Sequence, residues 1–216
     1  MHDYSAKLNP QKALIWRIVH KDNIDWILDN GLHCGNSKIK SPNWVSIGNA
    51  ELIDKRASHL VSVGSGGMLN DYVPFYFTPF SPMMMNILNG RGGVKRRDRS
   101  EIVILVSDLY AISKLKLQFV FTNSHAYYKW AEFHTDLTDL NKIDWKIIQA
   151  RDFRRAPDDP AKIERYQAEA LIYQHCPVEA LAGMVCYNDT VKVEMENIIK
   201  KRNLDLKVYS RQGWYL

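Results

Sequence analysis

The sequence predicts an α+β fold made of many short strands and a few short helices. Three observations point there. Short β-prone runs recur along the whole chain without the regular strand–helix alternation of a parallel sheet. Neither G-x-G-x-x-G nor a Walker A sequence occurs, which argues against a Rossmann fold or a P-loop. The composition is that of a globular protein: 46% apolar, 25% charged, with six Trp, eleven Tyr and seven Phe, which excludes general disorder. At 216 residues the chain is long enough for one domain, or one domain with a small elaboration, and it carries no internal repeat or linker.

Taken in order, residues 13–19 (ALIWRIV) read as a strand. A short helix follows, with Asp22 as the expected N-cap, Ile24, Ile27 and Leu28 on one face, and Gly31 just past its end. Residues 36–49 read as irregular, and a helix is expected over about 50–59. The stretch 61–70, with Gly64, Gly66 and Gly67, reads as a loop. Residues 72–77 are β-prone, but Pro74 confines that strand to an edge, a strand start or a bulge. Ser81-Pro82 is a helix start, cap followed by Pro in the first turn, and the helix ends near Gly90.

Residues 102–107 read as a strand, and its apolar run over 102–106 is the pattern of a strand buried on both faces. Strands are also expected at 119–122, 169–173, 184–187 and 206–210, and one more at 214–216. Residues 124–150 read as helical in pieces, and 190–202 as an amphipathic helix.

The charge is +5, from 29 basic and 24 acidic residues, a mild lean towards polyanionic partners. It is concentrated at 91–99 (RGGVKRRDR), where Arg91, Lys95, Arg96, Arg97 and Arg99 surround a lone Asp98. Beside Gly90, Gly92 and Gly93, this is a loop that could follow a phosphate backbone or simply be solvated. A second basic group, Arg151, Arg154, Arg155 and Arg165, is diluted by Asp152, Asp158, Asp159 and Glu164.

The longest aliphatic run, 102–106, is far short of the ~20 residues of a membrane span. The start, MHDYS, has no signal-peptide pattern, so a cytoplasmic protein without membrane association is expected. Cys34, Cys176 and Cys186 are odd in number and form no C-x-x-C, so neither a disulfide framework nor a metal site is expected.

By pattern alone, Glu169 stands where a polar, arginine-flanked loop enters an apolar strand. A carboxylate there can face a cleft, or sit in water at a strand edge. His20 ends the first strand, Arg56 lies in a helix of mixed character, and Tyr72 and Tyr76 share one strand face. Met83, Met84 and Met85 read as core filling, or as a cushion for nucleobases beside the basic loop.

Several segments together resemble one family. They are Asn9-Pro10, Arg17-Ile18-Val19-His20 with Asn23-Ile24, Ile27-Leu28 with Gly31-Leu32, Lys55-Arg56-Ala57, the block from Asp71 through DYVPFYF to Ser81-Pro82-Met83, Phe119-Val120-Phe121-Thr122, and Gln167-Ala168-Glu169. The set is similar to DarT, the toxin half of DarT–DarG toxin–antitoxin systems, and it extends to Trp214-Tyr215. The resemblance implies an ADP-ribosyltransferase fold over the whole chain: a split, twisted β-sandwich core with surrounding helices. It implies NAD as co-substrate without a metal. ADP-ribose would pass to a thymine base of single-stranded DNA, nicotinamide would leave, and the marked DNA would block replication. It also implies a DarG-type antitoxin whose macrodomain removes the mark. Nothing suggests an obligate oligomer, so a monomer is expected.

Roles follow by resemblance. Glu169 matches the catalytic glutamate, which holds the nicotinamide-ribose 2″-hydroxyl and stabilises positive charge as nicotinamide leaves. Arg56 matches an arginine tied to NAD binding and to deprotonation of thymine; because a guanidinium is rarely neutral, an electrostatic and positional role is preferred. Arg17-Ile18-Val19-His20 and Asn23 fall at the NAD-holding first strand, with either Arg17 or His20 facing NAD. Tyr76, or else Tyr72, would stack on nicotinamide. The segment 122–168 corresponds to a substrate-recognising loop, and His125, Arg154, Arg155 and Arg165 are the DNA-contact candidates there. Two alternatives stay open: the same chemistry on guanine, RNA or protein, and a nucleic-acid-binding module without catalysis.

Overall fold

A computed structural model describes residues 4–152 and 154–215. The N-terminal residues 1–3, read above for a signal pattern, and Leu216, the end of the expected last strand, lie outside the described residues.

The first strand, β1 (Leu14–His20), is followed by a 3-10 turn at Lys21–Asn23 and helix α1 (Ile24–Asn30). Asp22 is not the cap. It lies inside the 3-10 turn, and the His20 ring takes the capping role by accepting from the Asp22 amide at 3.2 Å. Gly31 ends α1 at φ 75°, and a β-carbon there would come within 2.8 Å of the Cys176 carbonyl oxygen. The contact belongs to a small second sheet, β2 (Leu32–His33) with β8 (His175–Cys176).

Helix α2 (Ala50–Arg56) is capped by Asn49, whose side chain accepts from the Leu52 amide at 2.7 Å. It ends three residues earlier than expected. Strand β3 is Tyr72–Tyr76, and α3 (Pro82–Asn89) runs from the Ser81 cap to Gly90 in the left-handed region, both as expected. Then come β4 (Ile102–Asp108), α4 (Leu109–Lys114), β5 (Phe119–Thr122), β6 (Phe133–His134), α5 (Trp145–Ala150) and α6 (Lys162–Tyr166). The chain closes with β7 (Glu169–Tyr173), β9 (Gly183–Cys186), α7 (Asp189–Lys200) and β10 (Lys207–Ser210). The final strand expected at 214–216 is instead a 3-10 turn, Gln212–Trp214, and Tyr215 is buried with its hydroxyl donating to the Ile102 and Val185 carbonyls. A buried Tyr needs such partners, and its anchoring holds the chain end across β4 and β9.

Eight strands form one mixed sheet in the order β10-β9-β4-β1-β3-β7-β5-β6, and it does not close into a barrel. Among the described residues only β9 and β10, joined through α7, run parallel. Strand β1 pairs with β4 along its whole length, from Leu14↔Asp108 to His20↔Ile102, whereas β1 meets β3 only at Trp16↔Tyr76. The sheet is therefore split between β1 and β3.

The split explains Pro74. By strand order β3 is interior, not the edge that proline predicts, yet the Pro74 carbonyl faces β1 and accepts from Arg17 Nη1 at 2.7 Å. The imino nitrogen of a strand residue lies on the same side as its carbonyl, so the missing N–H falls where the ladder has opened.

Strand β4 is buried on both faces as its sequence predicts, with Ile102, Val103, Ile104 and Leu105 inaccessible. In the other half of the sheet, side chains alternate between two clusters. Val73, Phe75, Ala170, Ile172 and Phe121 enter the main core. Tyr72, Leu171 and Val120 face a smaller one with Val61, Leu69 and Ala126. Glu169 is two residues before Leu171 and so shares the smaller cluster's face.

Candidate active site

Where the sheet splits there is an open cleft of about 600 Å³. Its walls include Arg17, Ile18, Val19, His20, Asn23, Arg56, Tyr76 and Glu169, residues drawn from the first strand, the 3-10 turn after it, α2, β3 and β7, and also His125. Four consecutive residues of β1 border it, so the cleft runs past the strand end and not along one face. For that reason Arg17 and His20 both reach it, although alternation along a strand had pointed to only one of them.

Glu169 is 1% exposed, and Tyr76 is its partner across the β3–β7 ladder. Its Oε1 accepts from Arg56 Nη1 at 3.1 Å and from the Ala126 amide at 3.0 Å. Oε2 faces Arg56 Nη2 at 3.0 Å, and no hydrogen bond of good geometry reaches it. The Thr122 hydroxyl accepts from the Glu169 amide at 3.2 Å and donates to the Ser124 carbonyl at 2.6 Å, which latches the 122–126 turn against the start of β7. Burial alone would raise the carboxyl pKa; Arg56, then His125 and the Ala126 amide, outweigh it and leave the group below the usual carboxylate range. The carboxylate is thus ionised, held by one oxygen and left with lone pairs on the other.

Arg56, at the C-terminal end of α2, is buried against Glu169 and not solvated as its helix pattern suggests. Arg17 is lowered to about 10 by burial, which leaves it a cation at neutral pH. Its Nη1 spans the split to Pro74. Burial pushes the Tyr76 phenol above its usual range, with Glu169 adding to the shift. Tyr72, the other tyrosine on that face, is packed in the smaller cluster with its hydroxyl donating to Gly66, away from the cleft. Met83 borders the cleft, and Met84 is core.

His20 is buried, with Nε2 3.2 Å from Glu101 Oε1. The Asn23 amide group is committed to the 36–49 segment: Nδ2 donates to the Val45 carbonyl at 2.9 Å and Oδ1 accepts from the Val45 amide at 2.8 Å. The irregular segment is thereby strapped along the cleft, where Trp44, Val45, Ser46 and Gly48 form part of the wall. Sequence patterning missed this strap, along with Asn86, Gln167 and Tyr128. The Asn23–Val45 pairing is a tertiary contact with no local signature. Asn49, besides capping α2, donates from Nδ2 to the Gly92 carbonyl and so ties the basic 91–99 loop to the cleft rim, which Gly92 and Val94 also form.

His125 lies beside the glutamate, its Nδ1 3.3 Å from Oε1 and also within reach of the Tyr127 amide at 3.2 Å. Burial lowers its pKa. The other three DNA-contact candidates lie away from the cleft wall. Arg154 is exposed and paired with Asp152, Arg155 is exposed, and Arg165 is held by Asp159 at 2.6 Å and by Asp144 at 3.3 Å. Among the described residues no cluster of His, Cys, Asp and Glu could hold a metal ion, and no helix is long and apolar enough to cross a membrane.

A family model described as DarT, the ssDNA thymidine ADP-ribosyltransferase, matches residues 16–216. The chain belongs to the DarT family. A DNA ADP-ribosyl transferase of Escherichia coli O127:H6 (strain E2348/69 / EPEC) is 64% identical over 214 residues, 99% of this chain and 98% of that protein. One from Thermus sp. (strain 2.9) is 34% identical, covering 95% of this chain and 97% of the relative.

Among solved structures, Thermus sp. 2.9 DarT in complex with ADP-ribosylated ssDNA superposes with a TM-score of 0.88 at 32% identity, over 96% of this chain and 98% of that one. The same protein in complex with NAD+ gives 0.85, over 96% and 100%. As a DarT-family member the chain is a DNA ADP-ribosyltransferase with NAD as its co-substrate, and its mixed sheet with surrounding helices is the DarT fold.

Proposed function

We propose that the described cleft binds NAD and that this DarT enzyme transfers ADP-ribose to a thymine of single-stranded DNA, with Glu169 and Arg56 as the catalytic pair. The observation that carries the reading is the buried Glu169 carboxylate at the cleft wall, ionised, fixed through Oε1, with Oε2 facing Arg56 and free of any hydrogen bond of good geometry. A carboxylate so held suits two tasks, accepting a ribose hydroxyl and stabilising positive charge that grows at the anomeric carbon. Being preorganised in a site poor in water, it needs no reorientation when that charge develops.

In the reaction the C–N bond to nicotinamide breaks, its electron pair leaving with nicotinamide. The thymine ring nitrogen forms the new bond, and its proton passes to solvent. A guanidinium stays charged in proteins, so Arg56 acts by charge and position: it neutralises phosphate and favours the thymine anion. Arg17 supplies a second cation at the cleft wall. Ile18, Val19 and His20 shape the β1 side of the site, Asn23 holds the strap, and Tyr76 offers its ring to nicotinamide beside Glu169. His125 meets the incoming base. Arg154, Arg155 and Arg165 take the outer DNA backbone, Arg165 only by exchanging a carboxylate partner.

The chain acts as one catalytic unit over residues 1–216, as a monomer in the cytoplasm. A DarG-type antitoxin bearing a macrodomain is its counterpart. A DarTG protein of Thermosipho africanus has been solved in complex with ADP-ribose; at 16% identity over half of that chain, its likeness speaks to the fold alone.

The test is transfer from labelled NAD to a panel of acceptors. Label is expected on thymine-containing single-stranded DNA and not on thymine-free DNA, RNA or protein. Label on guanine, RNA or protein instead would contradict the acceptor assignment while leaving the transferase chemistry in place.

A further inference from the structure

From the cleft wall, an aromatic series runs outward from the glutamate. His125 is in contact with Glu169 Oε1. The Tyr128 ring packs edge-on against His125 with centroids 5.6 Å apart. Trp130 then stacks on Tyr128 at 4.8 Å and 13° between planes. The series starts in a buried site and ends on the surface, for Trp130 is 61% exposed although it is the largest of side chains. A tryptophan left open to water on one ring face forgoes a large part of the burial free energy available to it.

This end of the series is also fixed in place. The Trp130 indole N–H donates to Glu164 Oε2 at 2.8 Å, and the Glu164 carbonyl accepts the His125 amide at 2.9 Å. Glu164 belongs to α6, the helix that leads into Glu169. Tight turns from His125 to Tyr128 and from Tyr128 to Ala131 hold the intervening backbone. One residue therefore anchors both ends of the series to the element that places the catalytic carboxylate. The indole's only polar group is already used, so a partner for the open face is one that offers a π-surface. Lys129, exposed and lying between the two ring residues in sequence, suits a partner that also carries phosphate.

We propose that the Trp130 ring, backed by Tyr128, is a stacking platform for a base flanking the target in single-stranded DNA. It holds the strand so that the target base enters the cleft at Glu169. The inference rests on the DNA-acceptor reading above and adds to it the surface that receives the neighbouring nucleotide. Base–aromatic stacking is tolerant of base identity, so the platform contributes affinity and register more than sequence choice.

The test is steady-state kinetics of DNA modification at saturating NAD for the wild type, Trp130→Ala and Trp130→Phe. Two acceptors are compared, an oligonucleotide that flanks the target thymine on both sides and thymidine monophosphate alone. For the oligonucleotide, Trp130→Ala is expected to raise KM about 5- to 150-fold, the range of one lost stack, with kcat changed less than about twofold. Trp130→Phe should restore most of the loss. With the mononucleotide, wild type and Trp130→Ala should be alike, because no flanking base reaches the platform.

An unchanged KM for the oligonucleotide in Trp130→Ala would overturn the platform while leaving the enzyme's acceptor intact. An equal loss on both acceptors would overturn it too, as damage to the site itself. If the wild type modifies no DNA at all, the acceptor reading fails first and the platform with it.

Discussion

At Glu169 a buried negative charge is stabilised by a buried positive one, and a histidine stands beside both. That histidine has a consequence for stability. Burial lowers the His125 pKa below the ordinary 6.5, with Arg56 opposing protonation further and Glu169 only partly compensating. A group whose folded pKa is depressed binds fewer protons folded than unfolded, so its contribution is full above 6.5 and declines as pH falls below it. Glu169, also depressed, adds a second loss only below the carboxylate range near 4.5. His33 and His59 are depressed by burial too and share the first window.

Substituting His125→Asn should therefore reduce, without abolishing, the loss of stability between pH 7.5 and 5.5. The ceiling on that change is about 1.4 kcal/mol per pH unit for one proton. Urea unfolding of both proteins at the two pH values measures it, and equal losses would contradict the buried, neutral state of His125. The residue types at this site were legible as a resemblance. Their arrangement was not, since the Arg56–Glu169 pair joins residues 113 positions apart.

Among the elements, those with local signals were readable and those set by distant contacts were not. Helix α3 announces itself by Ser81, Pro82 and Gly90, each favoured for a steric or hydrogen-bonding reason at that helix position. Strand β4 is apolar from Ile102 to Val106, and sheet neighbours and packing bury both faces of its first four residues. Pro74 misdirects, because the opening between β1 and β3 that accommodates it is a property of the assembled sheet. The 36–49 segment has no periodicity at all, yet it walls the cleft through the paired hydrogen bonds from Asn23 to Val45.

Asn23→Ala removes both bonds and leaves the Val45 backbone without partners. It should cost about 1–3 kcal/mol of stability and raise the KM for NAD up to about tenfold, with kcat within about twofold. Kinetics at saturating oligonucleotide decide this. An unchanged KM for NAD would mean that the strap does not shape the cofactor site.

Across the whole molecule, the split sheet creates the cleft, and the charge distribution suits what must reach it. The net charge is a modest +5, but the 91–99 loop that carries much of the basic excess is tied to the cleft rim through Asn49 and Gly92. Arg154 and Arg165, basic by sequence, are instead matched with nearby carboxylates, a pairing that composition cannot reveal. Fold class, the order of most elements and the position of Glu169 at the start of a strand were available from the sequence. The strap, the tethered loop and the aromatic series to Trp130 were not, because each is defined by side chains meeting across the fold.

The central claim is that Glu169, fixed by Arg56 and Ala126, performs the transfer of ADP-ribose to thymine. Mass spectrometry of a thymine-containing single-stranded oligonucleotide after incubation with NAD tests it directly, with wild type and Glu169→Gln side by side. The expected result is a gain of one ADP-ribose with the wild type and none with Glu169→Gln, which keeps the shape but not the charge. A gain that persists in Glu169→Gln would contradict the account at its centre.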